Sequence, residues 1–157
     1  MKRSISILLL LTALLGLAGC GKPAAEAPDF QAVYDSMTAV ADMPDMVVVP
    51  NDKGEFLFGI APGDCRQEIV AICQDSLLAD ELWLIEATDK EAADRIEALA
   101  QNRLQQKAAE LENYLPEQYQ VVQQGQLSRE GNCVVLLISP LAKELAKLLI
   151  LEPHKNL

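Results

Sequence analysis

Histidine is almost absent from this chain, and so are the short motifs that mark common active sites. His154 is the only histidine, which leaves too few nitrogen ligands for a typical zinc site and no ready base for a nucleophile. The sequence also contains no Cys-x-x-Cys, His-Glu-x-x-His or Gly-x-Ser-x-Gly motif and no glycine-rich phosphate loop. We therefore predict neither a metal nor a cofactor.

The N-terminus has the order of residues of a secretion signal. Lys2 and Arg3 supply positive charge, and residues 5–17 are apolar with three exceptions. A membrane-spanning helix needs about 20 apolar residues, so this run is too short for a stable span. We predict that residues 1–19 are a cleaved signal.

Residues 17–20, Leu-Ala-Gly-Cys, resemble the lipobox of bacterial lipoproteins. The resemblance implies that Cys20 receives a diacylglycerol group and that cleavage occurs before it. The alternative is an ordinary signal peptide that happens to contain a cysteine. At about 0.8 kcal/mol per buried CH₂, two acyl chains anchor a protein stably where one does not. We predict that residues 20–28 form an acylated tether to the outer face of the cytoplasmic membrane.

Acidic residues outnumber basic ones. The chain has 13 Lys and Arg against 23 Asp and Glu, and removal of the signal leaves 11 basic residues and a formal net charge of −12. This charge repels nucleic acid, so the partners that we expect are the membrane, through Cys20, and an envelope protein or basic peptide. Solubility is the alternative explanation of the charge, and we favour it.

Three further cysteines, Cys65, Cys73 and Cys133, leave the disulfide state open. Export permits disulfides, but three thiols leave one unpaired. Cys65 and Cys73 would be about 26 Å apart on one strand and about 12 Å apart on one helix, whereas a disulfide needs Cα atoms within about 7 Å. A pair would require a chain reversal or a cross-strand contact with Cys133, and we interpret the three as small buried apolar residues.

The first part of the mature chain predicts one helix and leaves two segments ambiguous. A helix is predicted to begin after its N-cap, Asp29, and to end before Pro44. The apolar stretches 46–50 and 55–60 lie on either side of a turn-rich run, residues 50–54. Their pattern does not distinguish strands from helical turns.

The middle of the chain predicts two strands and a long helix. Residues 68–73 and 81–87 are expected to form an antiparallel pair. Residues 88–91, Thr-Asp-Lys-Glu, match a capping box, and an apolar stripe then predicts a helix that ends at Pro116. The stripe consists of Ala92, Ile96, Leu99, Ala100, Leu104, Ala108, Leu111 and Leu115.

The last part predicts a hairpin and a final helix. A turn at residues 129–132 leads into a buried strand, residues 133–139, and Pro140 occupies the first turn of the helix. The apolar span 133–151 contains Lys143, Glu144 and Lys147, which argues against a membrane helix.

Five features occur in a characteristic order. They are the lipobox, Phe-Gly-Ile at 58–60 with Pro62 and Asp64, the long charged helix, Tyr-Leu-Pro-Glu-Gln-Tyr at 114–119, and Gly-Asn-Cys-Val-Val-Leu-Leu-Ile-Ser at 131–139. Over residues 29–149 the chain resembles the domain-of-unknown-function family numbered four-three-five-eight, whose members are small bacterial lipoproteins. The resemblance implies no activity, and this chain contains more cysteine than is usual in the family.

Paired carboxylates are the remaining candidates for acid–base chemistry. The pairs are Asp80 with Glu81 and Glu110 with Glu112. Neighbouring side chains point apart on a strand, and residues two apart do not share a helix face. We therefore interpret all four as solvated surface.

Tyr114, Tyr119 and Trp83 are the candidate ligand or partner surface. The two tyrosines flank Pro116 and can form a stacking rim, or else they end a helix and cover the core. Trp83 lies between Leu82 and Leu84, which favours a position in the core or on the face of a sheet. We prefer the structural interpretation for all three.

Together these observations predict one α+β domain over residues 29–157. We expect a small, mostly antiparallel sheet packed on one face by an N-terminal, a long central and a C-terminal helix. The leading functional hypothesis is a non-catalytic interaction or ligand-binding module. The alternatives are an accessory subunit of an envelope complex and a hydrolase that uses Asp and Glu chemistry on an envelope substrate.

Overall fold

The computed structural model describes residues 27–151. The predicted signal, Cys20, most of the tether and His154 lie outside this range. Within it, five strands form one sheet in the order β1-β2-β3-β5-β4, and every neighbouring pair is antiparallel. The strands are β1 (Met46–Val48), β2 (Cys65–Cys73), β3 (Glu81–Ala87), β4 (Gln126–Glu130) and β5 (Cys133–Ile138). The α+β class and the predicted β2–β3 pair are confirmed.

Helices cover both faces of this sheet, so the expectation of packing on one face is wrong. The helices are α1 (Phe30–Thr38), α2 (Asn51–Phe58), α3 (Lys90–Leu111), α4 (Pro116–Gln123) and α5 (Ala142–Leu151), with a short 3₁₀ turn at Pro62–Asp64. On β3, Leu82 and Leu84 pack with α1 and α5, whereas Trp83 and Ile85 pack with α3. Each face of the sheet therefore has its own apolar core. Apolar side chains of β3 point to both faces and do not alternate with polar ones, as expected for a strand that is buried on two sides.

The first helix starts where its N-cap predicts but ends early. The Asp29 carboxylate accepts hydrogen bonds from the amides of Gln31 and Ala32 at 3.0 and 3.3 Å. The buried face of α1 consists of Phe30, Val33, Tyr34 and Met37. The helix ends at Thr38, before Pro44 is reached.

The ambiguous segment after β1 is helical. Residues 51–54 of the predicted turn run form the first half of α2, and Gly59 ends the helix with a left-handed φ of 77°. Gly54 is buried inside α2 and packs closely on Glu68, since an added Cβ would lie 2.5 Å from Glu68 Oε1. Residues 46–48 form the short strand that the pattern left open.

Gly59→Ala should destabilise the domain by about 1–2 kcal/mol. An L-residue is strained at a left-handed φ, and the new Cβ would lie 3.1 Å from Leu99 Cδ2. Urea unfolding checks this, with Gly63→Ala as the matched control, because a Cβ at Gly63 meets no atom within 4 Å. Equal stability of the two variants would contradict the prediction.

The predicted capping box of the long helix is displaced by one residue. Asp89, not Thr88, is the N-cap of α3, and its carboxylate accepts the amide of Ala92 at 2.7 Å. The Thr88 hydroxyl instead donates to the carbonyl of Gly63 at 3.4 Å. The helix ends at Leu111, and Pro116 begins α4, a helix that was not predicted from the sequence.

The predicted hairpin and final helix are confirmed, but α5 begins at Ala142, so Pro140 precedes the helix and does not occupy its first turn. Gly131, with φ 58°, lies in the two-residue turn between β4 and β5, and α5 follows Pro140. Among residues 27–151, none of the helices combines the length and apolar character that crossing a bilayer requires.

Candidate functional site

The carboxylates of Asp80 and Glu81 are buried, so their interpretation as solvated surface is wrong. Asp80 is 4% exposed and Glu81 is fully buried at the start of β3. Glu110 and Glu112 are exposed, as interpreted. A buried carboxylate requires compensating partners, and those of Glu81 come from α3.

Glu81 forms a charge cluster with Arg103 and Lys107. Arg103 Nε donates to Glu81 Oε1 at 2.9 Å and its Nη2 donates to Oε2 at 2.7 Å, while Lys107 Nζ lies 2.8 Å from Oε2. Trp83 Nε1 adds a fourth donor, 2.8 Å from Oε1. Arg103 and Lys107 are one helical turn apart on α3, so both reach the end of β3.

The charge cluster is held ionised. Burial alone would raise the pKa of Glu81, but the Arg103 hydrogen bond and the charges of Lys107 and Arg103 outweigh it and lower that pKa. Burial likewise opposes the Arg103 charge, yet Glu81 raises its pKa. Glu81 is therefore an anion with both oxygens occupied, which makes it a poor proton donor near neutral pH.

Two aromatic rings cover the charge cluster. The Arg103 guanidinium lies 5.4 Å from the centre of the Phe58 ring, and Phe58 meets Trp83 edge to face at 5.4 Å. Trp83 is fully buried, which fits the core interpretation and removes it from any exposed ligand surface. Tyr114 is 76% exposed and does not cover the core, whereas Tyr119 is half-buried on α4.

An open cavity of about 270 Å³ lies at the same end of the sheet. It is lined by Pro44, Asp45, Cys73, Gln74 and Asp75. Behind it, the Asp80 carbonyl accepts the Cys73 amide at 2.9 Å, and Asp80 Oδ1 is buried without a hydrogen-bond partner in the described part of the chain. The carboxylates of Asp45 and Asp75 make the cavity acidic.

The free edge of β1 borders this cavity and is unusually apolar for an edge. Val47 and Val48 are 47% and 43% exposed, although edge strands normally carry charge or stay covered. Asp45, which lines the cavity, directly precedes the strand. We call Met46, Val47 and Val48 together with the cavity the β1 edge site.

The three cysteines covered by the structure are free thiols, so none forms a disulfide. Cys73 is buried and the other two are half-buried, which agrees with the apolar interpretation only in part. Burial, reinforced by nearby carboxylates, raises the pKa of Cys65 to about 12 and that of Cys133 to about 11. Both thiols are therefore protonated and weakly nucleophilic at neutral pH.

Sequence reasoning missed the residues that matter most at this end of the domain. Arg103 and Lys107 lie among the apolar positions of α3, and two cations on a buried stripe are a signal of a buried anion. No three His, Cys, Asp or Glu residues in the range 27–151 are grouped to hold a metal ion.

Comparison with known proteins assigns a family. No curated protein and no solved structure matches the chain. Residues 39–139 match the model of a family described as a domain of unknown function, DUF4358. The match runs from the end of α1 to the residue after β5 and covers more than half of the sequence. The resemblance noted from the sequence is therefore confirmed, and the chain belongs to the DUF4358 family.

Proposed function

We propose that this protein is a lipid-anchored module on the outer face of the cytoplasmic membrane that binds a partner and catalyses no reaction. The observation that carries the proposal is the exposed apolar surface at the β1 edge. Val47 and Val48 are followed within ten residues by Phe56 and Leu57, which are 86% and 51% exposed. Exposed apolar residues at the free edge of a sheet favour protein contacts.

The charge cluster supports a structural rather than a catalytic role for the buried carboxylate. Glu81 is the best-enclosed acid among the described residues, and its oxygens are already bonded to Arg103, Lys107 and Trp83. A general acid or base needs an oxygen that reaches substrate. The cluster is better suited to fixing α3 against β3.

The point at which the tether joins the domain also favours partner binding at the β1 edge site. The Pro28 carbonyl accepts a hydrogen bond from Gln67 Nε2, and the Phe30 amide donates to Gln67 Oε1. The chain thus enters the domain near the start of β2, whereas Cys73 ends that strand. Gln67 and Cys73 are about 20 Å apart at 3.3 Å per residue, so the cavity lies at the end of β2 away from the point where the tether joins the domain.

Cys20→Ala should abolish incorporation of a fatty-acid analogue and release the protein from the membrane. The acyl chains require the Cys20 thiol, and about 0.8 kcal/mol per buried CH₂ is lost with them. Metabolic labelling and membrane fractionation measure both effects, and Cys133→Ala is the matched control that should keep label and location. Label retained in the Cys20 variant would refute the anchor.

Partner binding is tested by a photo-crosslinking residue placed in living cells at Val47. The control position is Ser128, which is exposed on β4 at the opposite edge of the sheet. We expect a reproducible crosslinked species from position 47 and none from position 128. Equal products from both positions, or none from either, would contradict the proposal.

A further inference from the structure

We infer that the partner is an extended, basic polypeptide segment that adds to β1 as a sixth strand and places a lysine or arginine side chain in the cavity. This inference rests on the proposed function and names the chemical class of the partner. Three independent features of the β1 edge site support it: its unpaired backbone groups, its exposed side chains and its charge.

The backbone of β1 presents unpaired hydrogen-bonding groups. The Val49 amide donates to Val70 and the Gln74 amide donates to Asp45, both at 2.8 Å, so residues 45, 47 and 49 face β2. Because hydrogen bonds alternate along an antiparallel pair, the amides and carbonyls of Met46 and Val48 point outward. No described residue bonds to them, which leaves two donors and two acceptors for an added strand.

The side chains of β1 favour an extended partner of limited length. Val47 and Val48 project to opposite faces of the sheet, and both are partly exposed. Pro44 and Pro50 bound the strand and lack amide hydrogens, so pairing is confined to the residues between them. The partner therefore needs only a short strand with apolar side chains on either side of the edge.

The charge of the cavity selects a basic residue. In residues 27–149, neither Asp45 nor Asp75 forms an ion pair, and Asp80 lies behind Cys73 with an unpartnered oxygen. Burial is the main cause of the raised pKa of the Cys73 thiol, the charges of Asp80 and Asp75 raise this pKa further, and the backbone of Asp75 and the charge of Lys107, which is already paired with Glu81, lower it. A cationic side chain compensates the carboxylates of Asp45 and Asp75, and the net charge of −12 of the mature chain, 11 basic against 23 acidic residues, attracts a basic segment over a longer range.

A second copy of this chain is a poorer occupant of the β1 edge site. Two mature chains, each with a net charge of −12 from 11 basic and 23 acidic residues, repel one another, and pairing of two β1 edges would bring two acidic cavities close together. Self-association is therefore an outcome that the test must detect.

The inference is tested with the purified protein and a labelled short peptide of alternating valine and threonine with one central lysine. A matched peptide carries glutamate in place of the lysine, and fluorescence anisotropy gives both affinities. We expect binding of the lysine peptide that weakens with salt, and at least about tenfold weaker binding of the glutamate peptide.

Two protein variants separate the charge from the strand pairing. The double variant Asp45→Asn and Asp75→Asn should weaken lysine-peptide binding about tenfold, whereas Asp52→Asn, which alters an exposed carboxylate outside the cavity, should leave it unchanged. Val48→Pro removes an outward amide but no bond to β2, so it should abolish binding while circular dichroism shows the native fold.

Several results would overturn the inference. They are equal binding of the two peptides, binding that is insensitive to Val48→Pro, no binding of the lysine peptide, and a dimer in sedimentation that Val48→Pro converts to monomer. Each leaves the crosslinking result at Val47 unchanged. The failure of the inference is therefore distinguishable from the failure of the proposed function.

Discussion

Glu81→Gln is expected to lower the free energy of unfolding by about 3–5 kcal/mol, the usual cost of removing one partner from a buried ion pair. The substitution leaves Arg103 and Lys107 largely enclosed beside a neutral amide, whose own hydrogens then face cations. Urea unfolding followed by the fluorescence of Trp83, the single tryptophan, measures the loss. Glu112→Gln, a substitution of an exposed carboxylate directly after α3, should leave stability unchanged.

Replacing the whole charge cluster should cost far less than breaking it. With Glu81→Leu, Arg103→Met and Lys107→Met together, no buried charge remains to be compensated, and such replacements are often neutral or stabilising. We expect this variant to be more stable than Glu81→Gln. If the single substitution were harmless and the triple one severe, the charges would not be coupled as described.

The effect of Glu81→Gln should depend on pH in a defined direction. Glu81 has a folded-state pKa below its ordinary value of about 4.5, so ionisation favours the folded state. This stabilisation is fully present above pH 4.5 and is lost as pH falls through the lowered pKa. The stability difference between the wild type and Glu81→Gln should therefore narrow below pH 4.5, and a widening difference would contradict the assignment.

Trp83→Ala should destabilise the domain by about 3–5 kcal/mol, the range for removal of a large buried aromatic side chain. The indole is fully buried, packs edge to face on Phe58 and donates to Glu81. The variant has no tryptophan, so urea unfolding must be followed by circular dichroism.

Trp83→Phe is the matched comparison for this substitution. It keeps most of the apolar volume and loses the indole donor, so its expected cost is the smaller one of about 1–3 kcal/mol for a missing buried hydrogen bond. A Phe variant as unstable as the Ala variant would mean that the hydrogen bond to Glu81, rather than packing, dominates.

Elements with strong local signals could be predicted from the sequence. Asp29 caps α1, the turn at Gly131 joins β4 to β5, and β2 pairs with β3. The helix α4 was missed because Pro116 was interpreted only as the end of the long helix, and α2 was left open because residues 50–54 have the composition of a turn. Pro116 instead begins α4, and Pro50 directly precedes α2. Proline fits both a helix start and a break, and local sequence does not decide between them.

The charge cluster around Glu81 could not be predicted because its members are distant from one another in sequence. Glu81 was compared with its neighbour Asp80, whereas its actual partners lie 22 and 26 residues away on α3. The uninterrupted apolar run of β3 did carry a usable signal, because such runs indicate burial on both faces of a sheet. The exposed edge of β1 has no sequence signal of its own, since strand order follows from pairing across the whole domain.

The β1 edge site and the charge cluster occupy one end of the sheet but serve different purposes in this account. The charge cluster fixes α3 against β3, and the strand that begins with Glu81 pairs with β2, which carries β1. Variants of the cluster should therefore change stability, whereas variants of the edge should change partner binding with little change in stability.

Amide hydrogen exchange, measured residue by residue by NMR with and without the lysine peptide, tests the central claim most directly. Strand addition predicts that the outward amides of Met46 and Val48 become protected in the complex, while the amide of Val47, which already faces β2, changes little. Saturating peptide that leaves Met46 and Val48 exchanging as in the free protein would contradict the account.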